Sequence, residues 1–246
     1  MKNEAAWRPT KFVWADGRLQ ASNDVRHVAI ASRLNVNLLA TALFRLITQF
    51  ATGRLLDLGC GSVPLYSAYK PRVSTITCVD WVASGHDIGH IDLPADLSQP
   101  LPLASNAFDT VLLTDVLEHI AIPERLLGEI RRILDSGGML IGSVPFLYRL
   151  HEEPHDHYRY TIHALRRFAE IHGYAVEILE PYGTGTDVVA DLVGKILVGA
   201  HWRVGPKLAA WSQSLGLRFG HSALGQRVNA RHSAMPLGYV FAFRAA

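Results

Sequence analysis

The run Arg54-Leu55-Leu56-Asp57-Leu58-Gly59-Cys60-Gly61-Ser62 constrains this chain more than any other stretch. Leu55, Leu56 and Leu58 make a short apolar run that reads as a buried parallel strand, too short for a core helix. Two glycines one residue apart follow at once. They let the backbone turn sharply and let a ligand approach without a Cβ in the way. Residues 62–70 are expected to start a helix whose free N–H groups face that ligand. Strand, glycine turn and helix form the front half of a nucleotide-type site. A tight βα turn also needs glycines, so Gly59 and Gly61 do not decide the matter alone.

The next segments add weight. Thr75 to Val79 is a second strand-like run, and it ends in Asp80. An acid about 20 residues after a glycine turn, at a strand's carboxyl end, is placed to accept hydrogen bonds from ribose hydroxyls. Asp96-Leu97 lies in a loop before another strand over 108–114.

With these segments in view, the sequence resembles the class I S-adenosylmethionine-dependent methyltransferases, in the broad group with D-L-G-C-G and D-V-L-E-H motifs. The resemblance covers roughly residues 53–182 and, more weakly, the last strand. It rests on Asp57-Leu-Gly-Cys-Gly61, Val79-Asp80, Ala95-Asp96-Leu97, Phe108-Asp109, Asp115-Val-Leu-Glu-His119 and Leu134-Asp-Ser-Gly-Gly138. It implies a doubly wound, mostly parallel seven-stranded α/β sheet. It also implies that Asp57, Gly59 and Gly61 hold the methionine part of S-adenosyl-L-methionine, Asp80 the ribose, and Asp96 with Leu97 the adenine, with Trp81 a further cofactor contact. Thr114 and His119 complete the expected cofactor contacts. Two departures stand out. Val63-Pro64 replaces the usual third small residue of the turn, and Asp135-Ser136-Gly137-Gly138 replaces a K-P-G-G turn. The missing third glycine also weighs against a nicotinamide-dependent dehydrogenase, which needs it for close helix packing. A non-catalytic sensor or scaffold that binds the same cofactor is the other alternative.

Length and composition fit this picture. A chain of 246 residues, 49% hydrophobic, can bury a full core. Its two cysteines, Cys60 and Cys78, fall in core segments, which argues for buried thiols and a cytoplasmic protein. The polar N-terminus shows no signal peptide, and no uncharged run is long enough for a membrane span. Charge is uneven. Residues 1–50 carry 7 basic and 3 acidic side chains, residues 51–182 carry 10 and 17, and residues 183–246 carry 7 and 2. An acidic core with basic flanks suits an anionic acceptor or an anionic membrane face, or no partner at all.

Residues 1–52 read as an arm with a turn at Asp16-Gly17, then a covering helix capped by Ser22-Asn23-Asp24. Arg26 and Arg33 are expected at the surface. The cofactor-binding core spans 53–182. Pro123 opens a helix that Gly137-Gly138 ends, followed by a strand over 139–144. Thr161 caps a helix over 162–172. Residues 183–235 form a helical insertion, with helices started by Asp187 and Pro206. It serves as acceptor cap, dimer contact, or membrane contact through 187–218 at the inner face. Residues 236–246 supply the last strand.

Methyl transfer from a sulfonium is an in-line displacement in which the protein must align two atoms and exclude water. A hydroxyl acceptor also loses a proton, which suits a histidine base. His119 is one candidate. Others lie in His151-Glu-Glu-Pro-His-Asp-His-Tyr-Arg159, where five of the chain's 12 histidines cluster within 151–172. His155 and Asp156 are expected to act with His119 in catalysis, and His151, His157, Tyr158 and Arg159 to bind the acceptor between this loop and the insertion. His151, His155 and Asp156 could ligate a divalent ion, yet no spacing is diagnostic and no metal is expected. The acceptor is expected to be a hydroxyl of a small molecule, sugar or lipid-linked glycan. The N/D-P-P-Y/F segment of base N-methylation and the cysteine of carbon-5 methylation are absent where Thr114-Asp115-Val116-Leu117 stands, so nucleic acid is not the expected partner.

Overall fold

The structure is a computed structural model that describes residues 1–81, 89–200 and 202–246. It resolves into two compact units. One comprises residues 1–9, 43–180 and 239–246; the other comprises residues 10–42 and 181–238.

The first unit is built on a seven-stranded sheet. In chain order its strands are β3 (Arg54–Leu58), β4 (Thr75–Asp80), β5 (Leu93–Pro94), β6 (Phe108–Thr114), β7 (Leu134–Pro145), β8 (Tyr174–Thr184) and β9 (Pro236–Ala245). They lie side by side as β5-β4-β3-β6-β7-β9-β8. The pairs β3/β4, β3/β6, β4/β5 and β6/β7 are parallel. Leu55, Leu56 and Leu58 have no exposed surface, the mark of a central strand covered on both faces. Because β3, β4 and β5 are parallel neighbours, their carboxyl ends share one rim, in register Leu58 with Val79 and Asp80 with Pro94.

Helices α3 (Pro123–Ile133) and α4 (Ile162–Ile171) follow the expected signals. Pro123 opens α3, whose Leu126, Leu127, Ile130 and Ile133 are all buried. Thr161 caps α4 by accepting the Ala164 N–H at 3.2 Å. The strand after α3 begins earlier than expected. Gly137-Gly138 does not end the helix; β7 starts directly at Leu134, and the backbone N–H of Asn106 and Ala107 take the last α3 carbonyls, Arg132 and Ile133. A register irregularity between Phe108 and Thr110 absorbs the glycine pair.

The helix expected over 62–70 is also shorter. Only α2 (Tyr66–Tyr69) forms, because Val63 sits in the left-handed region at φ 55° and Pro64 disfavours helical geometry before it. Backbone N–H groups of a long helix therefore play no part in the turn.

The second unit contains a hairpin of β1 (Phe12–Ala15) and β2 (Arg18–Ala21), turned at Asp16-Gly17 with both residues at positive φ. It also contains α5 (Thr186–Gly199), α6 (Gly205–Gly220) and α7 (Ala223–Arg231), the last not anticipated. Helix α1 (Arg33–Phe50) runs from this unit into the first. It starts later than Ser22-Asn23-Asp24 suggested. Ser22 Oγ accepts the Asp24 N–H and Asp24 accepts the Arg26 N–H, so these side chains make local turns instead of a cap. Arg26 pairs with Asp24 at the surface, and Arg33 donates to the Asn23 carbonyl.

Residues 30–50 are long and apolar enough to cross a membrane by length and composition, with Arg33 and Arg45 interrupting the run so that no uncharged stretch of span length occurs in it. Half of that window is buried in the protein, and Leu34, Leu43, Leu46 and Ile47 have no exposed surface, as in a core helix.

Candidate active site

Three acids stand at the carboxyl ends of three neighbouring strands. Asp57 is the penultimate residue of β3, Asp80 is the last of β4, and Asp96 follows β5 by two residues. The glycine turn is fixed onto β4, since the N–H groups of Gly59 and Cys60 donate to the Val79 carbonyl at 2.8 and 3.2 Å. Gly59 has φ 74°, and a Cβ there would meet Val116 Cγ2 at 2.5 Å, so this position accepts glycine alone. Gly61 donates its N–H to Asp80 Oδ2 at 2.5 Å, and Trp81 donates to Asp80 Oδ1 at 2.6 Å. Turn and acid thus hold each other in place.

Asp57 is buried, and its Oδ2 accepts the Tyr69 hydroxyl at 3.0 Å. Among the described residues no ion pair reaches it. Burial pushes its carboxyl up to about 7, and the nearby Asp80 adds to the rise. A buried carboxyl short of a cation is suited to the ammonium and sulfonium charges of the expected cofactor. Asp96 is exposed and caps its own turn, accepting the Ser98 N–H at 2.9 Å, while Leu97 is buried beside it. The Ala95 N–H donates to the Asp80 carbonyl, which draws the Asp96 loop against β4. Thr114 ends β6, half-buried, and Asp115 follows at φ 53° with Ser143 Oγ donating to it at 2.7 Å.

A second group of residues assembles just beyond Thr114. The loop 148–160 is laced to the turn 117–121. The N–H groups of His157 and Tyr158 donate to the Glu118 carbonyl, the Tyr160 hydroxyl to the Leu117 carbonyl at 3.0 Å, and the Tyr158 hydroxyl to the Ala121 carbonyl at 2.9 Å. This brings His119 and His151 together, ring centroids 4.9 Å apart, with Glu118 between them. Glu118 has no exposed surface, and burial raises its carboxyl above the ordinary range. The Glu118 carboxylate in turn raises His151.

Several expected residues take other roles. The Asp156 carboxylate is gripped by Arg159, with contacts of 2.5 and 2.7 Å, which holds it well below the usual carboxylate range and makes it a poor base. Arg159 also donates to the carbonyls of Tyr148, Arg149 and Tyr158, so its donors are spent on the loop and not offered to an acceptor. The His155 ring lies edge-on to Trp81 at 5.8 Å, so His151, His155 and Asp156 do not converge as one ligand set. His157 packs between His155 and Tyr158, and Tyr158 stacks on Tyr160. Sequence reasoning gave no site role to Glu118 or Tyr69. Glu118 was visible in Asp115-Val-Leu-Glu-His119, but its meeting with His151 depends on the distant 148–160 loop.

Residues 56–142 match a family model described as a methyltransferase domain. The chain has a class I S-adenosylmethionine-dependent methyltransferase domain. A ubiquinone biosynthesis O-methyltransferase of Caulobacter sp. (strain K31) is 33% identical over 106 residues, 38% of this chain and 41% of that protein. The chain therefore matches less than half the length of that curated relative. A methyltransferase from Mesorhizobium loti superposes with a TM-score of 0.54 at 17% identity, over 86% of this chain and 99% of the other. The [4+2]-cyclase SpnF superposes with 0.56 at 18% identity, over 85% and 82%. The methyltransferase domain thus shares its fold with proteins of differing chemistry. S-adenosylmethionine is the cofactor of the family, and the buried Asp57 with the Asp80-braced glycine turn fits it.

Proposed function

We propose that this protein transfers a methyl group from S-adenosyl-L-methionine to a hydroxyl oxygen of a small molecule, sugar or lipid-linked glycan. The observation that carries the reading is the meeting of Asp57, Gly59, Gly61, Asp80 and Asp96 at one rim of the sheet. Asp57 faces the amino-acid part of the cofactor, Asp80 the ribose and Asp96-Leu97 the adenine. When bound, the cofactor would supply an electrophilic methyl group to the acceptor oxygen and keep the electron pair of the broken carbon–sulfur bond, and the hydroxyl proton would pass to water.

This chain's residues then have two tasks. The first group fixes the sulfonium, and the 117–121 turn with the 148–160 loop handles the acceptor oxygen, Thr114 lying between them in sequence. The likeness to an O-methyltransferase favours oxygen as the acceptor atom. We further propose a cytoplasmic protein whose second unit touches the inner membrane face. Val189, Val193, Ile196, Trp211, Leu215 and Phe219 of α5 and α6 are all more than a third exposed, and all of these but Ile196 line a groove of about 330 Å³ with apolar walls. Lys195 adds no cation to that face, since it pairs with the buried Asp191.

The test of the main reading is direct. Thermal-shift titration with S-adenosylhomocysteine and with NAD should show stabilisation by the first only. Labelled methyl transfer to cell extracts, read by mass spectrometry, should then place the label on oxygen. Stabilisation by NAD alone, or label found only on nitrogen or carbon, would overturn it. Flotation with anionic liposomes at low salt tests the membrane contact, and absence of co-flotation removes it.

A further inference from the structure

Glu118 poses a problem that its protein neighbours do not solve. It is a carboxylate with no exposed surface, and neither oxygen has a hydrogen-bond partner among the described residues. Such a group is costly unless something charged meets it. Its nearest donors are His119 Nε2 at 3.7 Å and His151 Nε2 at 3.8 Å from Oε1, both beyond hydrogen-bond reach. One ligand atom from each of Glu118, His119 and His151 lies within 4.8 Å of the others, around a common point. Donors about 2.1 Å from a shared ion lie about 3.0–3.5 Å apart, so the two Glu118–imidazole separations must close by a few tenths of an ångström and the widest separation in the set, up to 4.8 Å, by about 1.3 Å.

The far sides of both rings are already arranged. His119 Nδ1 faces the His155 carbonyl at 3.2 Å. His151 Nδ1 faces Asp156 Oδ2 at 3.2 Å and the Arg149 carbonyl at 3.3 Å. A proton held on each Nδ1 leaves each Nε2 as a lone pair aimed at Glu118. A carboxylate or carbonyl behind a histidine is the arrangement that orients metal-ligating imidazoles. Arg159, with its fork on Asp156, fixes the outer carboxylate in turn. On the open side, Glu152 Oε2 lies 3.7 Å from His119 Nε2.

We propose that Glu118, His119 and His151 form a binding site for one divalent transition-metal ion, with Glu152 at its solvent side. Two imidazoles and a carboxylate suit zinc, cobalt or manganese better than magnesium or calcium, which favour all-oxygen shells. The site itself stands independently of the reaction. Its role rests on the methyl-transfer reading: the ion would bind the acceptor's hydroxyl oxygen, lower its pKa and direct it to the methyl group, so that the proton leaves to water.

The experiment uses untagged full-length protein, stripped with chelator and titrated with Co²⁺ while the visible absorption spectrum and calorimetric stoichiometry are read. S-adenosylhomocysteine binding is measured on the same samples. One equivalent of Co²⁺ with a histidine-ligand spectrum is expected. Glu118→Gln and His151→Ala should each weaken it by about tenfold or more, and the exposed His163→Ala should not. Retained S-adenosylhomocysteine binding shows that a variant is folded; Glu118→Gln, which keeps the side chain's shape, serves if His151→Ala is not. Wild-type protein that binds S-adenosylhomocysteine but no Co²⁺ overturns the metal site and leaves the methyl-transfer reading intact. Cobalt retained equally in the folded Glu118→Gln protein overturns the assignment to these residues. Metal binding without S-adenosylhomocysteine binding keeps the site and overturns its role.

Discussion

Replacing Asp57 with asparagine tests the charge design of the cofactor cradle. Asp57 is buried against Tyr69, and its carboxyl is raised from about 4 to about 7. The sign follows from proton linkage. Between those two values the unfolded chain has lost the proton while the folded chain keeps it, so stability falls as pH rises. The difference between about 4 and about 7 corresponds to a cost of about 4 kcal/mol, fully expressed above pH 7 and absent below pH 4. An asparagine at this position keeps an acceptor for Tyr69 without the charge. The apo Asp57→Asn variant should therefore exceed the parent by about 1–2 kcal/mol near pH 5 and by about 4 kcal/mol at pH 8, the latter on the order of 10 °C in melting temperature for a chain of this size. S-adenosylhomocysteine affinity should fall in the same variant, because the ligand's ammonium loses its counter-charge. Melting curves at pH 5, 6, 7 and 8, with and without ligand, supply the data. A difference between variant and parent that does not change with pH would refute the reasoning, as would unchanged affinity.

Three further outcomes are expected. Gly59→Ala pushes a Cβ into Val116 at a positive φ, and calorimetry should find cofactor binding lost or the protein unfolded. Thr161→Ala removes the α4 cap and should cost about 1 kcal/mol in urea unfolding, with cofactor affinity unchanged. Arg159→Ala frees Asp156 and three loop carbonyls; hydrogen exchange should accelerate across 148–160, while the exchange of β3 and β4 stays as it was.

The parts of this protein that were legible in its sequence are those set by short-range rules. The leucines of β3, the cap at Thr161, the helix start at Pro123, and the acids at the carboxyl ends of β3 and β4 and just after β5 all sit where local pattern placed them. Misreadings came where two local signals competed. Pro64 and the left-handed Val63 overrode the helix start at Ser62. Ser22 and Asp24 spent their side chains on turns, so α1 waited until Arg33. The Glu118, His119 and His151 cluster was hidden for another reason. It depends on a loop more than 30 residues away lying over the 117–121 turn, held by backbone bonds that no spacing rule reports.

Asp57, Asp80 and Asp96, with the Gly59–Gly61 turn, are proposed to grip one adenosyl sulfonium. A crystal structure of the protein with S-adenosylhomocysteine measures this most directly. Ribose hydroxyls are expected within hydrogen-bond distance of Asp80, the ligand's amino-acid end beside Asp57 and Gly61, and adenine against Asp96-Leu97. Density for the ligand elsewhere on the sheet, or a bound ligand that touches none of the three acids, would contradict it.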